Sequence, residues 1–173
     1  MSDRFKIRLG RPSDVGRVAA VELAAASIFS EQDLPPPIRY MASDLDILRT
    51  AVSDGRLWVA CDSNDVAVAF AFTDMIGDSA YLEELDVHPN YMRQGIGTRL
   101  MEVVIDWARQ RGCRELRLVT FSHLAWNAPF YAGLGFRTLR REEIDADYQQ
   151  IIDDDAEVGI DARKRVVMEL RLQ

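Results

Sequence analysis

The sequence predicts one α/β (α+β) domain built on a mixed, mostly antiparallel central sheet of six to seven strands, with helices on both faces. Three observations predict it. Short apolar segments separated by turn residues fill residues 57–87, an amphipathic helix follows at once, and a strand, a short helix and further strands come after it. An antiparallel meander followed by strand–helix–strand gives a mixed sheet, because the crossover lays a helix against one face. The 173 residues fit a single domain over 1–173.

Each element has its own signal. Phe5-Lys6-Ile7-Arg8-Leu9 alternates apolar and polar residues, as a half-buried strand does. Pro12-Ser13-Asp14 opens a helix, since a short polar side chain accepts from unpaired backbone donors. Val15, Val18, Ala19 and Ala26 then share one helical face. Pro35-Pro36-Pro37 breaks the chain, because proline lacks a donor and fixes φ. A second helix is expected over 38–51, before the turn at Asp54-Gly55. Leu57 to Cys61 and Val66 to Met75 read as a hairpin around Asp62-Ser63-Asn64-Asp65, and Ala80 to Val87 as a third strand. Gly97 to Gln110 carries Leu100, Val103, Val104 and Trp107 on one stripe, with Gly112 placed to cap its end. Leu116 to Val119 is a strand, Asn127 to Leu134 a short helix closed by Gly135, and Phe136 to Leu139 a strand. Glu142 to Glu157 is acidic and reads as a surface helix or an ordered loop, with Asp153-Asp154-Asp155 on a solvated face. Val166 to Leu170 is the last strand.

Composition excludes several classes. The net charge is −7, which leaves no surplus of Lys and Arg to displace counterions from a nucleic acid. Cys61, Cys113, His88 and His123 are too few and too scattered for a structural zinc site, so no metal is expected. No segment approaches the roughly 18 apolar residues of a membrane span. Met1 to Lys6 lacks the apolar core of a signal peptide. The expectation is a cytoplasmic protein with two free thiols, and no nucleic-acid or membrane partner.

The chemistry lies between Tyr81 and Phe136. A strand ends at Val87, the loop His88-Pro89-Asn90-Tyr91-Met92-Arg93-Gln94-Gly95-Ile96 follows, and a helix begins. The first amides of a helix have no internal partners, and the macrodipole makes that end positive. Gly95 and Gly97 let a ligand approach the backbone. Together they predict a phosphate or pyrophosphate site. The Lys-Ser/Thr pair of a P-loop is absent, and the third glycine of a dinucleotide fingerprint is replaced by Leu100.

Downstream, Asn127-Ala128-Pro129-Phe130-Tyr131-Ala132-Gly133-Leu134-Gly135-Phe136 follows the next strand. With this stretch the chain resembles the GNAT superfamily of N-acetyltransferases. That family's phosphate loop reads Arg/Gln-x-x-Gly-x-Gly/Ala, and its later signature is an Asn, a Tyr four residues on, then Leu-Gly-Phe. Here these are Asn127, Tyr131 and Leu134-Gly135-Phe136. The likeness is strong over Tyr81 to Leu139 and loose over the first 55 residues. It departs at Met92, where the family has Arg or Gln; Arg93 and Gln94 lie beside it.

The resemblance implies direct transfer of an acetyl group from acetyl-CoA to a primary amine, with a CoA-binding core at about 79–140 and acceptor-side elements at about 12–53 and 141–165. It assigns the pyrophosphate to the backbone of Arg93, Gln94, Gly95, Ile96, Gly97 and Thr98. Pantetheine falls to Leu85, Asp86 and Val87 on a strand that splays from its neighbour, with Asn127 and Phe130 beside it. Tyr131 is the family's usual acid for the leaving thiolate. An ammonium must lose a proton before it attacks, and Glu83 is the first candidate base, Glu84 the second. Strand alternation sets Glu83 with Leu85 and Val87, and Glu84 with Asp86, unless a bulge intervenes. Asn127 can instead cap its helix. His88 reads as a surface residue and His123 as structural, near the acceptor mouth. The acids Glu83, Glu84 and Asp86 point to a small cationic amine as acceptor, and the family allows a homodimer. A non-catalytic acyl-CoA-binding module, or an enzyme acting on protein N-termini or lysines, is the alternative.

Overall fold

A computed structural model of the chain describes residues 4–172. Met1, Ser2 and Asp3, on which part of the leader reading falls, lie outside the described residues. The strands are β1 (Lys6–Leu9), β2 (Leu57–Cys61), β3 (Ala67–Ile76), β4 (Ser79–Val87), β5 (Glu115–Phe121), β6 (Arg137–Thr138) and β7 (Arg165–Arg171). Among the described residues they form one sheet in the order β1-β2-β3-β4-β5-β7-β6. Only the β4–β5 pairing is parallel. The predicted mixed, mostly antiparallel sheet is what forms.

The helices are α1 (Val15–Ala26), α2 (Leu45–Ser53), α3 (Ile96–Gln110), α4 (Ala128–Gly133) and α5 (Ala146–Glu157). Side chains alternate along each strand, so the sheet has two apolar faces. Trp58, Ala60, Leu82, Leu116, Leu118 and Met168 face α3 and α4. Leu57, Val59, Phe70 and Phe72 meet Val18, Val21 and Leu48 of α1 and α2 on the other face. Tyr81, Val119 and Val167 extend that second face to Tyr148 and Ile152 of α5.

α3 seats the phosphate loop, so its anchoring matters. Leu100, Met101, Val104 and Ala108 are fully buried at helical spacing. Trp107 meets Trp58 of β2 edge-on, with ring centroids 5.7 Å apart. At its end Cys113 N–H reaches Ala108 O at 3.1 Å across Gly112, a Schellman closure.

The expected helix over 38–51 does not form as one piece. A single 3₁₀ turn spans Ile38–Tyr40, Met41 is extended, and α2 starts afresh at Leu45. The restart has two causes, one local and one tertiary. The Asp44 carboxylate accepts from Asp46 N–H at 2.7 Å and caps the new helix. Ser43 donates both its N–H and its hydroxyl to Glu22 of α1. The acidic stretch 142–157 resolves into a 3₁₀ turn, Arg141–Glu143, and α5, whose N-cap is the Asp145 side chain. The strand expected over 136–139 shrinks to Arg137–Thr138, which pair with Glu169 and Met168 of β7, while Leu139 adds one further bond from its N–H to Val167 O at 2.9 Å.

Candidate active site

β4 pairs with β3 along its whole length to Val87, but with β5 only at Ala80, Tyr81 and Leu82. Beyond Leu82 and Leu118 the two parallel strands part. One edge of β4 from Glu83 to Val87 therefore carries main-chain groups with no strand beside them, and these must find another partner. The ladder to β3 slips at the same place, with Phe72 opposite Glu84 and Thr73 opposite Leu82. Glu83 is the extra residue of a bulge. Below the bulge Leu82 faces the α3 side, and above it Leu85 and Val87 do. Glu84 and Asp86 thus point to the α1 face, across from Phe72 and Phe70. Glu83, exposed in the bulge, leaves the alternation that would have set it with Leu85.

The loop after β4 makes a turn of left-handed residues. His88 Nδ1 accepts from Asn90 N–H at 3.3 Å and caps the turn Pro89–Tyr91. Arg93 has φ +59° and Gly95 φ +77°. Such a sequence of conformations turns successive N–H groups into one concavity. α3 begins at Ile96 with no side-chain cap, so the first-turn amides of Ile96, Gly97 and Thr98 have no partner within the helix. Gly97 sits under the ring of Phe130: a Cβ there would lie 3.4 Å from Phe130 Cζ and 4.0 Å from Val87 Cγ2. The end of β4, the start of α3 and α4 therefore converge on one point.

A cavity of about 820 Å³ runs from this point through the gap between β4 and β5. Its walls contain Glu83, Glu84, Leu85, Asp86, Val87, Arg93, Gly95, Ile96, Gly97, Thr98, Asn127, Phe130 and Tyr131. Gln94 is not brought there; it is exposed in the loop. Met92, the departure from the family pattern, is in the wall. Asn127 stands at the N-cap of α4 but its side chain makes no capping bond, which leaves its amide to the cavity.

Tyr131 is 7% exposed and packs edge-on against Phe130 and Phe136. Burial first, then the nearby charges of Glu84 and Asp86, push its phenol far above the ordinary value, so it holds its proton throughout the neutral range. Glu84 is raised well above a normal carboxyl by burial, then by Asp86 and Glu22, against the opposing charge of Arg165. Asp86 is pushed up to about 8 by burial and Glu22. Glu83 is raised by burial and Asp74, against Arg56.

Several wall residues were not legible as site residues. Glu22 on α1 faces the cavity, with Ser43 N and Oγ both 2.9 Å from its carboxyl oxygens; burial outweighs these bonds and raises it. Its signal was a lone carboxylate inside the otherwise apolar run Val18 to Ala26. Phe29, Phe121 and Trp126 form an aromatic wall with centroids 5.7 and 5.8 Å apart. Asp155 does not share the solvated face expected of Asp153 and Asp154. It turns inward and accepts from Arg165 Nε at 2.8 Å, while the Arg165 guanidinium lies 4.6 Å over the Phe121 ring. His123 Nε2 is 3.0 Å from Asp33 Oδ1, which also holds Lys164 Nζ at 2.7 Å. It ties loops together rather than entering the cavity.

Comparisons with known proteins bear on the family and the fold. The family model for the acetyltransferase (GNAT) family matches residues 23–136. Ribosomal protein bS18-alanine N-acetyltransferase of Escherichia coli (strain K12) is 39% identical over 80 residues, which is 45% of this chain and 54% of the relative. Thialysine N-epsilon-acetyltransferase of Bos taurus is 35% identical over 77 residues, 43% of this chain and 44% of the relative. The chain spans about half the length of these curated relatives. Among solved structures, the Escherichia coli S18-alanine enzyme superimposes with a TM-score of 0.68 at 22% identity, covering 98% of this chain and 94% of that one. The PaiA N-acetyltransferase of Thermoplasma acidophilum, in complex with coenzyme A, gives 0.69 at 20%, covering 99% of each. At such identities these superpositions show a shared fold. No described helix is long and apolar enough to cross a membrane.

Proposed function

The chain belongs to the acetyltransferase (GNAT) family, and from that premise we propose that it transfers an acetyl group directly from acetyl-CoA to the primary amine of a small cationic molecule. The observation that carries this reading is the single cavity that joins the unpaired amides before α3, the open edge of β4 and the Tyr131 phenol.

Acetyl-CoA supplies the acetyl group as a thioester. The amides of Gly95 to Thr98 suit its pyrophosphate, since they combine free donors with the positive end of a 15-residue helix. The free edge of Leu85 to Val87 suits pantetheine as an added strand, and an amide near Val87 can polarise the thioester carbonyl as an oxyanion hole does. Asn127 supplies a further polar contact from α4.

Glu84 is the better placed base. It faces the α1 side of the cavity and acts on the Tyr131 phenol electrostatically, whereas Glu83, though in the cavity wall, lies exposed in the bulge and is not among the charges that act on that phenol. A raised carboxyl is a stronger base and better matched to an ammonium. Glu84 takes the ammonium proton, and the amine nitrogen then adds to the carbonyl carbon. As the new C–N bond forms and the C–S bond breaks, Tyr131 delivers its proton to the departing sulfur, and the acetylated nitrogen gives up its second proton, which restores the Tyr131 phenol by way of solvent. The products are the N-acetylamine and CoA. The reading places the enzyme in the cytoplasm, and a homodimer is the assembly to check by light scattering.

Thiol release from acetyl-CoA across small amines, amino acids and peptides tests the proposal. Turnover of small cationic amines is expected. CoA binding with no turnover of any amine would leave a non-catalytic module. Turnover confined to peptides with N-terminal alanine would move the acceptor to a protein N-terminus, in line with the name of the Escherichia coli relative.

A further inference from the structure

We infer that Arg165 on β7 is a positioning residue for the base Glu84, and that Asp155 on α5 sets where its charge stands. The inference rests on the function just proposed and deepens its mechanism. Glu84 must be ionised to take the ammonium proton, yet Asp86 and Glu22 crowd it with like charge. A base in such company needs an opposed charge near it but not upon it. With none it stays protonated, and a direct ion pair would make it too weak to accept.

The fold supplies that arrangement. β5 and β7 set Phe121 opposite Arg165. Counted by twos from Val119 and Val167, both side chains fall on the sheet face that carries Tyr81 and packs on α5. Glu84, opposite Phe72, stands on the same face. Strand β5 lies between β4 and β7, and Arg165 reaches over it, its guanidinium 4.6 Å above the Phe121 ring. Past Leu82 and Leu118 the two strands part. Arg165 and Glu84 both line the cavity that fills this gap.

Arg165 commits only its Nε, to Asp155 at 2.8 Å. Among the described residues its terminal nitrogens make no hydrogen bond, and its ion pair is with Asp155 alone. The side chain is 13% exposed, so water and salt screen it poorly. Asp155 and the Phe121 ring together hold the guanidinium back from closing on Glu84. The groups that face Glu84 are Glu83 and Asp86 from its own strand, Glu22 from α1, the Tyr131 phenol from α4 and Arg165 from β7. Arg165 is the cation among them.

Two charge changes of opposite sign test this in the full chain. Arg165→Met removes the positive charge, so the rising limb of kcat against pH should move up by about half a pH unit or more. Asp155→Asn leaves that charge uncompensated and should move the limb down by about as much. Arg165→Lys keeps the charge and should restore most of the wild-type profile. A merely structural pair gives the same change whichever partner is lost, so limbs that move in one direction, or do not move, overturn the inference. The limb is read by thiol release from acetyl-CoA with the amine turned over fastest. Carboxyl NMR of Glu-labelled protein, with the Glu84 signal assigned through Glu84→Gln, reads the same displacements without turnover. Should Arg165→Met fail to fold, the downward displacement required of Asp155→Asn carries the test alone. Opposite NMR displacements with no thiol release from any amine would defeat acetyl transfer and uphold the action of Arg165 on Glu84; release with an unmoved Glu84 titration would do the reverse.

Discussion

Replacing Asp86 by Asn should stabilise the protein, and increasingly so as pH rises. The carboxyl has an ordinary value of 3.8 and is pushed to about 8 in the fold by burial and by Glu22. The sign follows from linkage. Below about pH 4 the acid is neutral in both states, and the folded protein bears no penalty. Above that the unfolded chain releases the proton while the folded chain keeps it, so stability falls until about pH 8 and is flat beyond. Each pH unit in that window is worth about 1.36 kcal/mol, and from 3.8 to about 8 the ceiling is near 6 kcal/mol. Glu84 and Glu22 share the repulsion, and the cavity admits solvent, so the realised effect should be about 2–3 kcal/mol at pH 8. Asn keeps the shape of the neutral acid and removes the titration. In a chain of this size that gain raises the melting temperature by about 4–12 °C. Thermal unfolding at pH 4.5 and pH 8, with and without the substitution, reads it. A variant no more stable than wild type at pH 8, or a difference that does not change with pH, would refute the account of the acidic wall.

Glu84→Gln should lower turnover by about 10²–10⁴-fold and flatten its rise with pH, with CoA affinity nearly unchanged; steady-state kinetics and calorimetry check both, and Glu83→Gln should do much less. Tyr131→Phe should lower turnover by about 10²-fold or more without changing CoA affinity, since it removes only the acid that protonates the thiolate. Gly95→Val should weaken CoA by about tenfold, because φ +77° strains a β-branched residue by more than about 1–2 kcal/mol and shifts the amides that follow; Gly16→Ala, with open space around it, is the control. Leu100→Ala should cost about 2–5 kcal/mol in chemical denaturation, since that side chain is fully buried between α3 and the sheet.

What the sequence disclosed and what it hid divide along physical lines. The sheet, α3 and the phosphate loop were legible because their signals are local: alternation in Phe5 to Leu9, the stripe of Leu100, Val104 and Trp107, and glycines where a strand meets a helix. The splay of β4 was readable only through the family resemblance, since nothing in Tyr81 to Val87 says where β5 stops pairing. The bulge at Glu83 was allowed but not located; it depends on the register of β3, which a single strand cannot report. Glu22, Thr120 and Arg165 join the site from α1, β5 and β7, and only the assembled sheet with its helices brings them together. Helix 38–51 was misjudged because Ser43 is drawn to Glu22, a tertiary bond that outweighs local propensity. Asp155 looked solvated for the same reason, its partner Arg165 lying ten residues on.

The central claim is that the amides opening α3 hold the diphosphate of a CoA whose arm lies along the free edge of β4. Amide NMR during a titration with CoA tests it directly. The account predicts large shifts at Gly95, Ile96, Gly97 and Thr98 together with Leu85, Asp86 and Val87, and little change across α2 and α5. Saturable CoA binding that leaves those seven amides unmoved would contradict it.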